Sequence, residues 1–265
     1  MKLAANISLL FTELEPLARI RAAREAGFQG IELLFPYDLD PRALRLAAAA
    51  EAMPIVQINA PPGSQAGVPP GFAAVPGRED ELRASIDIAF KFLQECGSSQ
   101  LHVLAGAPPT DVDASLVRAT YVRNLQWIAD EAAAREVRIM IEPLNTRDMP
   151  GYALSTLAQA AEVLAAVARP NVGLQFDLYH NQIMGGDLTL RLRKYAHLVR
   201  HVQIASVPAR NEPDRGEVQL MHFLRELQAV GYTGWVSAEY RPAASTAEGL
   251  GWMAPVREWL RAPNQ

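Results

Sequence analysis

Ile139-Met140-Ile141-Glu142, Val172-Gly173-Leu174-Gln175-Phe176-Asp177 and Trp235-Val236-Ser237-Ala238-Glu239 are short apolar runs that each end on an acid. Runs of this length, bounded by turn residues, predict buried strands. Working outward, strand candidates begin near Leu3, Gly30, Pro54, Gln100, Val137, Val172, Arg200 and Gly234. Between them lie segments with Ala, Leu, Arg and Glu at helical spacing, at 13–26, 40–52, 78–96, 113–136, 155–168, 187–197, 217–230 and 245–261. Helix boundaries are written in the residues: Ser155 and Thr156 stand where an N-cap should, Pro170 follows as a stop, and Gly27, Gly97 and Gly231 follow helical runs. Eight strand and helix units favour closure into one α/β barrel, a (β/α)8 TIM barrel over 1–265, above an open doubly wound sheet.

The length of 265 residues suits that single domain, because an α/β barrel routinely uses about 250. An apolar fraction of 49% can build a sizeable core and excludes compositional disorder. The net charge of −4, with no run of basic residues, argues against nucleic acid as a partner. Absence of a long apolar stretch or an apolar leader predicts no membrane association and a cytoplasmic protein, and the lone Cys96 at a helix end reads as a small buried thiol. The irregular stretch 59–77, rich in Pro and Gly, follows a strand and is expected to be a lid over a site.

Several chemistries are excluded. No G-x-G-x-x-G, P-loop or G-x-S-x-G motif is present. The three lysines, Lys2, Lys91 and Lys194, do not end strands, so imine chemistry is poorly supplied. The five histidines are dispersed and no H-E-x-x-H occurs, which argues against a His-rich zinc centre. In a parallel barrel the C-terminal strand ends converge on one mouth, so Glu142, Asp177, Gln203 and Glu239 meet there. Any one acid alone reads as a helix cap, but four such residues on successive strands form an oxygen nest that would repel itself without a cation. Hard oxygen donors point to Mg2+ or Mn2+.

In order along the chain, Asn6-Ile7-Ser8-Leu9-Leu10-Phe11, Phe35-Pro36-Tyr37-Asp38, Pro76-Gly77-Arg78-Glu79, Glu142-Pro143-Leu144-Asn145, Gln175-Phe176-Asp177-Leu178-Tyr179-His180, His201-Val202-Gln203-Ile204-Ala205 and Ala238-Glu239-Tyr240 together resemble the hydroxypyruvate isomerase family, within the xylose isomerase-like barrels. The resemblance covers about Leu3 to Trp252. It implies Glu142 and Glu239 as paired catalytic acids, and Glu142, Asp177, Gln203 and Glu239 as metal ligands. Glutamine at 203 sets this group apart from ketose 3-epimerases and endonuclease IV, which place histidine there. The implied reaction interconverts hydroxypyruvate and tartronate semialdehyde (2-hydroxy-3-oxopropanoate) by proton transfer through an enediolate, and the family also implies a homo-oligomer. Departures stand at Ser206 and Asn211, where the family more often has Asp and Gly, and at Ile58-Asn59-Ala60, which replaces a His-Asn pair. These bear on the substrate more than on the chemistry.

His180, three residues past Asp177, is the candidate to hydrogen-bond a substrate oxygen. Arg210, and after it Arg78, are candidates for the carboxylate of a small hydroxy or keto acid. Glu212, Asp148 and Asn59 complete the substrate-binding candidates. His102, inside a strand, is read as a hydrogen-bonded core histidine, and the four tryptophans are assigned core or interface roles. Two other isomerase-class readings use the same Glu pair, a 3-dehydrotetronate isomerase and a ketose 3-epimerase. Outside enzymes, the alternative is a sugar or metabolite-binding barrel.

Overall fold

The computed structural model describes residues 1–63 and 70–261. Its strands are β1 (Lys2–Asn6), β2 (Gly30–Leu33), β3 (Ile55–Asn59), β4 (Gln100–His102), β5 (Arg138–Ile141), β6 (Val172–Asp177), β7 (Val199–Ile204) and β8 (Trp235–Ala238). Each pairs in parallel with its neighbours, and β8 pairs with β1, closing the barrel that the count of units predicts.

The helices are α1 (Ala18–Ala26), α2 (Pro41–Ala50), α3 (Glu79–Cys96), α4 (Ala114–Ala133), α5 (Leu157–Val167), α6 (Leu178–Gly185), α7 (Leu188–Tyr195), α8 (Leu220–Ala229), α9 (Thr246–Gly249) and α10 (Met253–Arg261). The sequence pattern misses α6, an eight-residue helix that starts directly on the last residue of β6. Its run Leu178-Tyr179-His180-Asn181 is buried throughout, so no amphipathic period marks it. The first helix is also shorter than 13–26 suggests. The caps fall where expected: Thr156 and Gln159 form a capping box, and Gly27 and Gly97 end α1 and α3 at φ 96° and 80°. Cys96 is buried at the end of α3, and Trp252 is buried against Tyr240 and Phe28.

Strand alternation divides the sheet into two faces. One face presents Leu3, Ala5, Ile31, Ile58, Leu101, Ile139, Ile141, Leu174, Phe176, Val202, Ile204 and Val236 to the helices, all buried. Each helix answers with an apolar stripe, as in α5, where Leu157, Ala160, Val163, Leu164 and Val167 are the buried set. The other face looks into the lumen and is polar: Asn6 sits in register with Glu32, Glu32 with Gln57, Asn59 with His102, Asp177 with Gln203, and Gln203 with Ser237. A barrel interior is ordinarily packed with branched apolar side chains. Here the polar layer must therefore satisfy itself or meet a ligand.

The lid expected over 59–77 falls partly on 64–69, outside the described residues. Its later part is fastened to the β4 end: Gly71 bridges Ala105, Ala74 N–H donates to the Ala105 carbonyl at 2.7 Å, and Asn124 Nδ2 donates to the Ala73 carbonyl at 2.9 Å. Gly71, at φ 109°, lies so near the Leu104 carbonyl that a Cβ would come within 2.3 Å of it.

Candidate active site

The C-terminal strand ends bring the predicted oxygen donors together at one mouth. Glu142 follows β5, Asp177 ends β6, Gln203 is the penultimate residue of β7 and Glu239 follows β8; all four are buried. Asp177 works in two directions. Its Oδ1 accepts from the N–H groups of Tyr179 and His180 at 2.6 and 3.2 Å, capping α6, while Oδ2 faces the site. The helix-cap reading is thus realised by one oxygen, and the other oxygen of the same side chain is left toward the acid cluster.

Like charge and burial set the protonation of the cluster. Burial, then Asp177 and Glu239, push the Glu142 carboxyl well above the usual carboxylate range. Glu239 is pushed up to about 8, chiefly by burial, with Arg210 opposing and Asp177 adding to the rise. Arg210 reaches into this field from the loop after β7. Its Nη2 lies 2.8 Å from Glu239 Oε2 and 3.5 Å from Asp177 Oδ2, and its guanidinium stacks 4.9 Å over the Tyr179 ring. Two of the departures from the family pattern are partners in that same loop, since Asn211 N–H donates to Ser206 Oγ at 2.9 Å.

A hard divalent cation fits this donor set. Glu142 Oε1 is buried without a hydrogen-bond partner among the described residues, Asp177 keeps Oδ2 free of capping, and a guanidinium already sits against two of the carboxylates. Ligand atoms of Glu142, Asp177 and His180 all lie within 4.8 Å of one another. The imidazole, however, accepts the Asn145 N–H at Nδ1, 3.0 Å, which places its proton on Nε2, 3.7 Å from Asp177 Oδ2. Burial lowers the His180 pKa to about 4, so the ring is neutral and acts as an N–H donor at the site.

Asp148 supports from behind. It accepts from the Tyr179 hydroxyl at 2.7 Å and from Asn145 Nδ2 at 3.0 Å, bracing the residues that flank His180. Asn59, at the end of β3, is buried with Oδ1 unpartnered. Two candidates are not brought to the cluster. Arg78 pairs with Glu81 at 2.6 Å and lies over Phe72. Glu212 accepts from the Ala243 N–H at 3.0 Å and contacts Arg215 at 3.5 Å, tying the loop after β7 to the loop after β8.

The lumen also holds residues that the sequence reading passed over. His102, read from the sequence as a hydrogen-bonded core histidine, lies with Nδ1 3.6 Å from Glu142 Oε2, and among the described residues neither ring nitrogen has a hydrogen-bond partner. Burial lowers its pKa to about 3, so it is neutral. Glu32 on β2 receives His201 Nε2 at 2.7 Å and Asn6 Nδ2 at 3.2 Å. The available signal was a charge inside the apolar run Gly30-Ile31-Glu32-Leu33-Leu34, on the strand face opposite Ile31 and Leu33.

A closed barrel with this acid cluster at one mouth defines a class. The profile of the xylose isomerase-like TIM barrel family matches residues 20–256, and the chain belongs to that family. Among its relatives, a 2-oxo-tetronate isomerase from Cupriavidus necator is 41% identical over 254 residues, covering 96% of this chain and 98% of its own. The hydroxypyruvate isomerase of Escherichia coli is 35% identical over 257 residues, covering 97% and 100%. The crystal structure of a protein described as an AP endonuclease, family 2, from Brucella melitensis matches with a TM-score of 0.92 at 42% identity, covering 96% and 98%. The resemblance to the hydroxypyruvate isomerase group is borne out. Among the described residues no helix is long and apolar enough to cross a membrane.

Proposed function

We propose that the protein is an aldose–ketose isomerase that interconverts hydroxypyruvate and tartronate semialdehyde. The observation that carries this reading is the pair Glu142 and Glu239: two buried carboxyls on neighbouring parts of one mouth, both held above the usual carboxylate range by burial and like charge, facing one centre that also holds Asp177. Two carboxyls that readily hold and release a proton are what a proton shuttle between adjacent carbons requires.

In the reaction C3 loses a proton, C2 gains one, and the hydroxyl proton moves from O3 to O2, so composition and oxidation state of the whole molecule are unchanged. One glutamate, ionised, takes the C3 proton, and its counterpart, protonated, delivers to C2. A divalent cation, Mg2+ or Mn2+, held by Glu142, Asp177, Gln203 and Glu239 would supply the Lewis acid that stabilises charge developing on the enediolate oxygens. His180 Nε2–H donates to a substrate oxygen, and Arg210 pairs with the substrate carboxylate. His102 and Asn59 line the mouth beside Glu142, where Asn59 Oδ1 would accept and the neutral His102 ring would donate from one nitrogen and accept at the other, these atoms being unpartnered among the described residues.

A four-carbon keto acid is the second reading, favoured by the 41% identity to a 2-oxo-tetronate isomerase. The nuclease name carried by the Brucella structure is not adopted. The chain is acidic overall, and His180 points an N–H, not a lone pair, at the site.

Turnover of hydroxypyruvate, 2- and 3-oxo-tetronates and free ketoses by the metal-loaded protein in deuterated water tests both readings. Isomerisation of the keto acids with solvent deuterium at the receiving carbon is expected. Activity confined to free ketoses would defeat the substrate class, and tight binding without exchange would make the protein a metabolite-binding barrel.

A further inference from the structure

Beneath the carboxylates, a directed hydrogen-bond chain crosses the lumen. Gln57 Nε2 donates to Gln175 Oε1. Gln175 Nε2 donates to Glu142 Oε2 and to Gln203 Oε1, both at 2.8 Å. Gln203 Nε2 donates to Glu32 Oε1, which also receives Asn6 Nδ2 at 3.2 Å; the same Asn6 nitrogen lies 3.4 Å from Glu239 Oε1. The other Glu32 oxygen receives His201 Nε2 at 2.7 Å. Each amide has two chemically different ends, yet the whole chain runs in one sense. That sense is set where it terminates, because an ionised carboxylate only accepts.

We propose that Glu32, held by His201, is a positioning residue that fixes the amide of Gln203 with its NH2 toward the barrel floor and its carbonyl oxygen toward the cation. The proposal rests on the reading that Gln203 is a metal ligand. An amide NH2 has no lone pair for a metal, so a reversed Gln203 would remove one ligand and turn an N–H dipole against the ion.

Geometry states what happens when the terminator is altered. With the His201 proton kept on Nε2, the amide introduced by Glu32→Gln gives its oxygen to that N–H, which leaves its NH2 facing residue 203 and the Asn6 amide. Gln203 must then answer with its carbonyl, and its own NH2 swings toward Gln175 and the ion. In the double variant E32Q/Q203E, the carboxylate placed at 203 accepts from the amide at 32 and still offers oxygen upward. The lumen's total charge is unchanged, and the hydrogen-bond chain is complete again.

The test is titration of metal-stripped full-length protein with Mn2+, followed by electron paramagnetic resonance of free ion, alongside circular dichroism and melting. Gln203→Leu serves as the control for the underlying reading. We expect Q203L and E32Q each to weaken Mn2+ binding about 10- to 100-fold with the fold retained, and E32Q/Q203E to return within about threefold of the parent. If Q203L binds Mn2+ as the parent does, Gln203 is no ligand and the proposal falls with that reading. If Q203L weakens binding but E32Q does not, the lock alone is wrong. If E32Q weakens binding and the double variant fails to recover, Glu32 acts through general integrity of the floor and the orientation role is overturned. Should E32Q not fold, the double variant decides: near-parental affinity supports the lock, and affinity no better than Q203L overturns it.

Discussion

The two faces of the sheet answer to different physics. The face toward the helices is apolar and close-packed, and its energy comes from area removed from water. The lumen face carries Asn6, Glu32, Gln57, His102, Gln175, His201 and Gln203, all buried, and its order comes from donors matched to acceptors. A shell of the first kind tolerates exchange of one hydrophobe for another. A lumen of the second kind is specified largely by hydrogen-bond pairing, and among the described residues the atoms it leaves unmatched at the mouth are Glu142 Oε1, Asn59 Oδ1 and both nitrogens of His102.

That contrast breaks if lumen substitutions act mainly on stability or shell substitutions mainly on rate. The largest effect is expected for Glu142→Gln and Glu239→Gln, each lowering kcat by about 10^3-fold with melting temperature unchanged or raised, since each removes a buried, repelled carboxyl. Steady-state kinetics with calorimetry checks this, and near-normal turnover in either variant would strip that residue of its role. Leu125→Ala on α4, a fully buried shell position, should cost about 2–5 kcal/mol by chemical denaturation while kcat at low temperature stays within about twofold.

Glu239 also gives a pH signature. Because its carboxyl is raised from 4.5 to about 8 on folding, mainly by burial, the metal-free folded protein keeps a proton that the unfolded chain has already released. Stability of the metal-stripped protein should therefore fall as pH rises from about 4.5 to about 8 and level off above, and Mn2+ should flatten the slope; melts across that range decide. His102→Leu should raise KM about tenfold with little change in kcat or melting temperature, because among the described residues the imidazole makes no hydrogen bond and only a 3.6 Å approach to Glu142. The smallest effect is expected for Arg78→Ala, within about twofold in kcat/KM, since its partners are the exposed Glu81 and the Phe72 ring.

The shell was legible because burial repeats along the chain. All eight strands begin within about two residues of where the apolar runs place them, and the acids that close β5, β6 and β8 stand out against those runs. The lumen was legible only at its rim. Glu32, His201 and Gln57 lie inside strands whose neighbours are hydrophobic, and their partners sit across the barrel, 169 positions apart for Glu32 and His201. No local pattern encodes such a pairing. His102 was read only as a hydrogen-bonded core histidine for a related reason: its place in a strand shows neither its neighbour across the register, Asn59, nor its lateral neighbour, Glu142.

Asp177 joins the two faces in a single carboxylate. One oxygen starts the helix that carries His180, and the other looks toward Arg210 and the acid cluster. Loss of this side chain would unseat the imidazole donor at the same stroke as the oxygen donor, so the two cannot drift apart by point mutation. Chemistry and chain direction at this corner are inherited as one unit.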